Sequence, residues 1–232
     1  MSARIKINIL IVFIVISAAA IMFFINDHVN TITIVDADMG HYERVSFDPH
    51  TVDMIITETQ GRLMEIEEEL ALIEERLEMR RQIIDIFLDN NQPAFYGLLL
   101  YERSLEFGID PLIALAVIMT ESSFNPRTTN RNANGTFDRG LFQINDNTAP
   151  WIARRIGIYG YTRDMAYNPE INIIMGTYYL GYLSQLYTDL HHILTAYNRG
   201  QEGANEFINR QGTDESSYSR RVISLRENFV DF

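Results

Sequence analysis

Glu121 is the residue whose place in the sequence best suits chemistry. Asp110-Pro111 is a typical helix start, with an aspartate cap and a proline in the first turn. The next eight residues, Leu112 to Met119, are all apolar, and a helix that is apolar on every side belongs in the middle of a domain. At the carboxyl end of such a helix, desolvation and the helix dipole both raise the pKa of a carboxyl group. A general acid needs this near neutral pH; the alternative is a surface glutamate at a helix terminus.

Four sequence blocks between residues 110 and 222 resemble a known family, and they occur in that family's order. The blocks are Glu121 followed by Gly140-Leu-Phe-Gln-Ile-Asn145, then Asn168-Pro-Glu-Ile-Asn172 with Gly176 and Tyr178-Tyr-Leu180, then Ala196-Tyr-Asn-Arg-Gly200, and finally Tyr218 with Val222. Together they resemble the SLT-type lytic transglycosylases of the lysozyme-like superfamily, and the first block is also similar to C-type lysozymes. The resemblance implies a mainly α, α+β lysozyme-like catalytic domain with a small β-hairpin.

The chain departs from the family pattern after the third block. It reads Arg199-Gly200-Gln-Glu-Gly203, one residue longer than the common spacing between the two glycines. The segment from Glu121 to Gly140 is also longer than in many family members. These differences bear on contacts with the substrate more than on the chemistry.

The resemblance implies a role for Glu121 in cleaving peptidoglycan. Glu121 would protonate the glycosidic oxygen between N-acetylmuramic acid (MurNAc) and N-acetylglucosamine (GlcNAc). It would then act as the base on the muramyl C6 hydroxyl, giving a 1,6-anhydroMurNAc end without consuming water. The substrate's own N-acetyl group can stabilise the anomeric carbon, so no second carboxylate is needed.

Asp138 is a candidate second carboxylate, because C-type lysozymes carry theirs on the hairpin that faces the acid. If the two carboxyl groups lie roughly 5 to 5.5 Å apart, a muramidase, that is a retaining hydrolase, becomes the alternative function. In the other interpretation Asp138 only stabilises the hairpin turn after Asn134-Gly135. A third reading is a non-catalytic glycan-binding or assembly module of a phage or secretion apparatus.

Five further residues are candidates for binding the substrate. Ser122 follows the acid and could hydrogen-bond to it or to the sugar, while Gln143 and Asn145 supply amides that suit N-acetyl groups. Tyr197 and Asn198 are expected to position Glu121 and the muramyl sugar. Other aromatic residues could stack on sugar faces, but most aromatics at such spacings belong to a core: Trp151, Tyr161, Tyr167, Tyr178 and Tyr179.

Composition excludes several other classes of function. The 232 residues carry a net charge of −12, from 31 acidic and 19 basic residues, which argues against an electrostatic nucleic-acid binder. The chain has no cysteine, so a cysteine–zinc site, a disulfide framework and a thiol nucleophile are excluded. The five histidines form no HExxH-type pair. We therefore expect neither a metal nor a cofactor.

The amino terminus carries a predicted membrane anchor. Residues 7–25 are apolar except for Asn8 and Ser17, and a helix of this length spans about 30 Å of hydrocarbon. Basic residues precede this stretch, so the positive-inside rule places the tip in the cytoplasm and the remaining chain outside. The expected product is a single-pass protein with an extracytoplasmic catalytic domain, in the periplasm, on the cell-wall side or on a virion membrane. The alternative is a signal peptide cleaved near Ala18-Ala19-Ala20.

The anchor and the catalytic domain are expected to be joined by a linker and a stalk. We predict a tip and anchor over 1–26, a linker or short hairpin over 27–55, a stalk over 56–92 and the catalytic domain over 93–232. The stalk has a heptad seam formed by Ile56, Leu63, Leu70, Leu77 and Ile84, with Ile66, Ile73 and Phe87 between them. Such a seam predicts either a coiled-coil homodimer through 56–90 or an amphipathic helix packed on its own catalytic domain.

Overall fold

The computed structural model describes residues 31–35, 42–46 and 49–230. The predicted membrane anchor over 7–25 lies outside these ranges. Within them, no helix combines the length and the apolar character needed to cross a membrane. The chain divides into two compact units, Met1–Glu74 and Glu75–Phe232.

The first unit contains a hairpin and the start of a long helix. Strands β1 (Thr31–Val35) and β2 (Tyr42–Ser46) pair antiparallel, as the hairpin alternative for the linker anticipated. Helix α1 (Pro49–Asp89) follows. It therefore begins within the range expected to be linker, and not at residue 56.

The heptad seam of α1 has two environments. Ile66, Ile73 and Leu77 are exposed, whereas Phe87, in the same seam, is completely buried. Ile83 is also completely buried, and the Gln82 side chain donates to the carbonyl of Phe229 near the carboxyl end of the chain. The last turns of α1 therefore belong to the second unit, whose boundary lies before the expected one at residue 93.

The second unit is mainly helical, with a small sheet, as expected. Its helices are α2 (Ala94–Glu106), α3 (Pro111–Ser122), α4 (Ala149–Arg155), α5 (Pro169–Leu186), α6 (Leu190–Gln211) and α7 (Ser217–Val230), with a 3₁₀ turn over Arg163–Tyr167. Every residue of α3 from Pro111 to Ile118 is buried, because its sequence offers no polar face. This helix lies in the hydrophobic core, as its sequence predicted.

The start of α3 is fixed by one aspartate. A side-chain oxygen of Asp110 accepts a hydrogen bond from the backbone N–H of Leu112 at 2.8 Å, which caps the helix. The other oxygen pairs with Nε of Arg226 on α7, also at 2.8 Å. One side chain thus sets the helix start and ties α3 to α7.

The predicted hairpin is part of a three-stranded antiparallel sheet. Strands β3 (Thr129–Arg131), β4 (Phe137–Arg139) and β5 (Ile144–Asn145) are in sequence order. In the turn between β3 and β4, Asn134 accepts a hydrogen bond from the backbone N–H of Thr136 at 3.0 Å. Asp138 pairs with Asn130 on one side and with Asn145 on the other.

Replacing Phe87 with alanine tests whether the end of α1 is part of this core. Phe87 is fully buried and meets Phe124 edge to face, with ring centroids 5.1 Å apart. We expect Phe87→Ala to lower the free energy of unfolding by about 3 to 5 kcal/mol, as for other large-to-small core substitutions. The neighbouring Leu88 is exposed, so Leu88→Ala is the matched control and should change it by less than about 0.5 kcal/mol. Denaturant unfolding of the full chain measures both; equal effects would contradict this assignment.

Candidate active site

A cleft of about 550 Å³ lies where α3 ends beside the small sheet, with the start of α4 and parts of α5 and α6 completing its walls. Six of the residues selected from the sequence line it: Glu121, Asp138, Gln143, Asn145, Tyr197 and Asn198. Ser122 is not among the lining residues; it is buried, and its hydroxyl donates to the carbonyl of Ile118 in its own helix at 3.0 Å. The structure thus brings together six of the seven predicted residues.

Glu121 has the protonation behaviour that its sequence position suggested. Burial, the largest cause, raises its pKa from 4.5 to about 7. The hydroxyl of Tyr218 donates to Glu121 Oε1 at 2.6 Å and lowers the pKa, because it stabilises the carboxylate. The charge of Asp138 raises the pKa, and that of Arg221 lowers it.

The chain turns sharply immediately after this carboxyl group. Ser123 and Phe124 both have positive φ, 48° and 62°, a region that costs a residue with a side chain about 1 kcal/mol or more. Phe124 is nevertheless buried, against Phe87. The burial of its ring offsets the backbone strain and holds the end of α3 at the cleft.

Asp138 lines the cleft, and Asn145 holds its carboxylate. Asn145 Nδ2 donates to Asp138 Oδ1 at 2.6 Å and to Thr136 Oγ1 at 3.0 Å, while its amide oxygen accepts from the backbone N–H of Asn147 at 3.0 Å. The amide of Asn145 is therefore used within the protein. In the hairpin turn the backbone N–H of Thr136 donates to the side chain of Asn134, and not to that of Asp138.

Gln143 is also committed to internal bonds. Its Nε2 donates to the carbonyls of Thr128 at 2.9 Å and Gly140 at 2.8 Å, and its Oε1 accepts from Asn130 Nδ2 at 3.0 Å. The side-chain amide has two donor hydrogens, and both are used. Gln143 braces the sheet at the edge of the cleft, with only 8% of the residue exposed.

The backbone of Phe142 is held from two helices. Its N–H donates to Asn172 Oδ1 of α5 at 2.7 Å, and its carbonyl accepts from the Tyr197 hydroxyl of α6 at 2.7 Å. Gly176 of α5 leaves room for the Phe142 ring, because a Cβ at this position would overlap it. The second and third sequence blocks thus meet the first at Phe142.

Tyr197 and Tyr218, two of the tyrosines at the site, are neutral hydrogen-bond donors. Burial, followed by the charge of Glu121, holds the pKa of both Tyr197 and Tyr218 well above the ordinary value of 10. Tyr197 was expected to position Glu121, but its hydroxyl bonds to Phe142, and Tyr218 is the residue that contacts the acid. Tyr218 was recognised as part of the fourth block, but spacing alone cannot show that its hydroxyl reaches a residue 97 positions earlier.

Two lining residues on α6 present uncommitted polar groups. Asn198 is exposed, and within the described ranges its amide has no hydrogen-bond partner. Arg199, which sequence reasoning did not select, lines the cleft beside it. No group of three or more histidine, aspartate or glutamate residues in the described part of the chain is arranged to hold a metal ion.

Comparison with known proteins identifies the family. Residues 99–220 match the family model of the transglycosylase SLT domain, and the chain belongs to this family, as its four blocks indicated. The membrane-bound lytic murein transglycosylase C of Shigella sonnei (strain Ss046) is 32% identical over 123 residues, which cover 49% of this chain and 33% of that protein. The chain thus spans about a third of the length of this relative.

Solved structures of two lytic transglycosylases are also similar. The 70 kDa enzyme of Escherichia coli aligns with a TM-score of 0.48 and 20% identity, covering 68% of this chain and 30% of the other. An inactive mutant of lytic transglycosylase Slt from Pseudomonas aeruginosa aligns with a TM-score of 0.47 and 16% identity, covering 81% and 38%.

The hydrogen bond from Tyr218 predicts a measurable shift in the titration of Glu121. Removing this donor in Tyr218→Phe destabilises the carboxylate, so the pKa of Glu121 should rise above the wild-type value of about 7. Carbon-13 NMR of the Glu121 carboxyl group measures it directly. Tyr197→Phe is the matched control, since its hydroxyl bonds to Phe142, and its midpoint should stay near the wild-type one. A wild-type midpoint near 4.5, or equal shifts in both variants, would contradict the assignment.

Proposed function

We propose that this chain is a peptidoglycan lytic transglycosylase that cleaves the MurNAc-β-1,4-GlcNAc bond and leaves 1,6-anhydroMurNAc ends. The observation that carries the proposal is Glu121, a partly buried carboxyl group with a pKa of about 7 that opens onto the cleft. At neutral pH such a group is close to half protonated, so it can both give and accept a proton. Membership of the SLT family supports the same reaction class.

The reaction needs one carboxyl group in two successive roles. Protonated Glu121 gives its proton to the glycosidic oxygen as the bond to the muramyl C1 breaks, and the bonding electrons leave with that oxygen. The substrate's N-acetyl oxygen then stabilises C1. The muramyl C6 hydroxyl attacks C1 and gives its proton to the Glu121 carboxylate, which restores the acid. No water is consumed. We expect Asn198, which lines the cleft and whose amide has no partner within the described ranges, to bind the sugar.

A muramidase is the second candidate, and the position of Asp138 is the observation that favours it. Its carboxylate lines the same cleft and influences the pKa of Glu121. A retaining hydrolase would use Asp138 on the opposite side of the sugar from Glu121. The transglycosylase reaction, by contrast, has no need of a second carboxylate.

The mass of the released fragments decides between these reactions. We expect the full chain in detergent to release muropeptides from purified sacculi with anhydro ends, which are lighter by one water than hydrolysed ends. Glu121→Gln cannot supply the proton and should lower release by about 10² to 10⁴-fold or abolish it. Glu102→Gln removes an exposed carboxylate on α2 and should leave release unchanged.

Other product patterns have definite meanings in this experiment. Hydrolysed ends would show a muramidase. No release by the wild-type chain would indicate a non-catalytic glycan-binding or assembly module and would overturn the enzymatic proposal. The products also separate action within strands from action at strand ends.

We further propose that residues 7–25 anchor the chain in a membrane, with the cleft on the extracytoplasmic side. The relative from Shigella sonnei is named as membrane-bound. The seam between Ile56 and Leu77 includes three exposed residues, Ile66, Ile73 and Leu77, and suits pairing with a second copy, but the charged residues that flank it would form both attractive and repulsive pairs. In a parallel pair, Arg62 would face Glu67 of the other copy, whereas two like-charged pairs would also form: Glu69 with Glu74, and Arg76 with Arg81. Such a dimer is weak at low salt.

Membrane fractionation and light scattering test this mode of attachment together. Full-length chain should remain in carbonate-washed membranes with its amino terminus intact, and a released chain beginning after Ala20 would show a cleaved signal peptide. In detergent, dimerisation should strengthen as salt screens the like-charge pairs. A monomer at every salt concentration would contradict the dimer and leave the anchor assignment standing.

A further inference from the structure

Arg199 occupies a distinctive position at a break in helix α6. Gly200 has φ 72° and ψ 163°, which is not helical, so α6 consists of two helical segments joined at this residue. Arg199 is the last residue before the break and lines the cleft. Its guanidinium carbon lies 4.6 Å from the centroid of the Phe207 ring, which belongs to the segment after the break.

Within the described part of the chain, the charge of Arg199 is not paired with an acidic group. The residue is exposed, and within the described ranges it has no ion pair and no side-chain hydrogen bond. The arginine that lowers the pKa of Glu121 is Arg221, and not Arg199. Among the described residues that line the cleft, Arg199 is the one cation, and the two other charged residues are the acids Glu121 and Asp138.

The surroundings hold the guanidinium in place while leaving its donors free. A cation over an aromatic face is stabilised by the ring, and Phe207 supplies such a face. Gly203 makes room for this arrangement, because a Cβ there would lie only 3.1 Å from Arg199 Cβ. Because the Arg199 side chain is already partly ordered by this contact, it loses less conformational entropy when a ligand binds.

We propose that Arg199 is a specificity-determining residue that binds a carboxylate on the lactyl arm of the muramyl sugar. The inference rests on the proposed function, since it assumes that the cleft binds peptidoglycan. The sugar rings of both residues are neutral, so the anionic groups of a strand are carried by that arm. They are the lactyl carboxylate itself where the stem peptide has been removed, or the carboxylates of the stem peptide. A guanidinium pairs with a planar carboxylate through two parallel hydrogen bonds.

The acidic character of the cleft makes this contact selective. The net charge of the chain is −12, and Glu121 and Asp138 line the cleft, so an anionic arm is repelled except near a cation. Arg199 thus defines where the arm can lie, and therefore which sugar of the strand faces Glu121. GlcNAc lacks the arm and gains nothing from this contact.

Affinities for three ligands test the proposal in the full chain carrying Glu121→Gln, which prevents cleavage. The ligands are a GlcNAc–MurNAc tetrasaccharide with stem peptides, the same tetrasaccharide stripped of its peptides by an amidase, and chitotetraose, which has no lactyl arm. Arg199→Gln is expected to lower the ratio of affinities for an arm-bearing ligand over chitotetraose by roughly tenfold to a hundredfold, as for loss of a charge-assisted hydrogen bond. Whichever arm-bearing ligand responds identifies the carboxylate.

Two further variants separate this contact from general damage. Arg210→Gln removes the same charge from the same helix, at an exposed residue that is not among those lining the cleft, and should keep the wild-type ratio. Phe207→Leu retains the arginine but removes its platform, so the ratio should fall by a smaller factor. An Arg199→Gln ratio equal to that of Arg210→Gln, or an equal loss for all three ligands, would overturn the proposal. Absence of binding to any ligand when Arg199 is present would overturn the proposed function as well.

Discussion

The burial of helix α3 is the constraint on which the site depends. Its residues from Pro111 to Ile118 are all buried, so the helix has one orientation in which its end can open onto a cleft. Glu121 lies in that last turn, and the same burial raises its pKa. The following residues must then leave the helix at once, which accounts for the two left-handed residues, Ser123 and Phe124. The burial of α3 thus determines the position of Glu121, the sharp turn that follows it and the raised pKa of its carboxyl group.

The sequence blocks that mark the family mostly build the cleft. Asn172 and Tyr197 form hydrogen bonds with the Phe142 backbone. The side-chain amide of Gln143 is hydrogen-bonded within and beside the small sheet. Polar groups of the cleft that have no hydrogen-bond partner within the described ranges include the amide of Asn198 and the guanidinium of Arg199. Residues with uncommitted groups are the ones on which substrate selection can act, and Arg199 is one of these.

Sequence reasoning predicted the features that depend on local pattern. An unbroken apolar run defined α3 and the environment of Glu121, and Asn134-Gly135 lies at the turn of the predicted hairpin. It missed what depends on packing between distant segments, such as the bond from Tyr218. The heptad seam of α1 shows the same limit. Its period indicates that a face prefers burial but not what covers it, so exposed Leu77 and buried Phe87 look alike in the sequence.

The raised pKa of Glu121 makes the stability of the folded chain depend on pH. A carboxyl group with a folded pKa of about 7 and an ordinary one of 4.5 contributes stability at low pH that is lost as the pH rises through 7, by up to about 3 kcal/mol. Burial alone would raise the pKa further, leaving a group that holds its proton too tightly to give it up. Tyr218 and Arg221 both lower it. Their opposition to burial keeps the carboxyl group close to half protonated at neutral pH, as the proposed reaction, in which Glu121 donates a proton and then recovers it, requires.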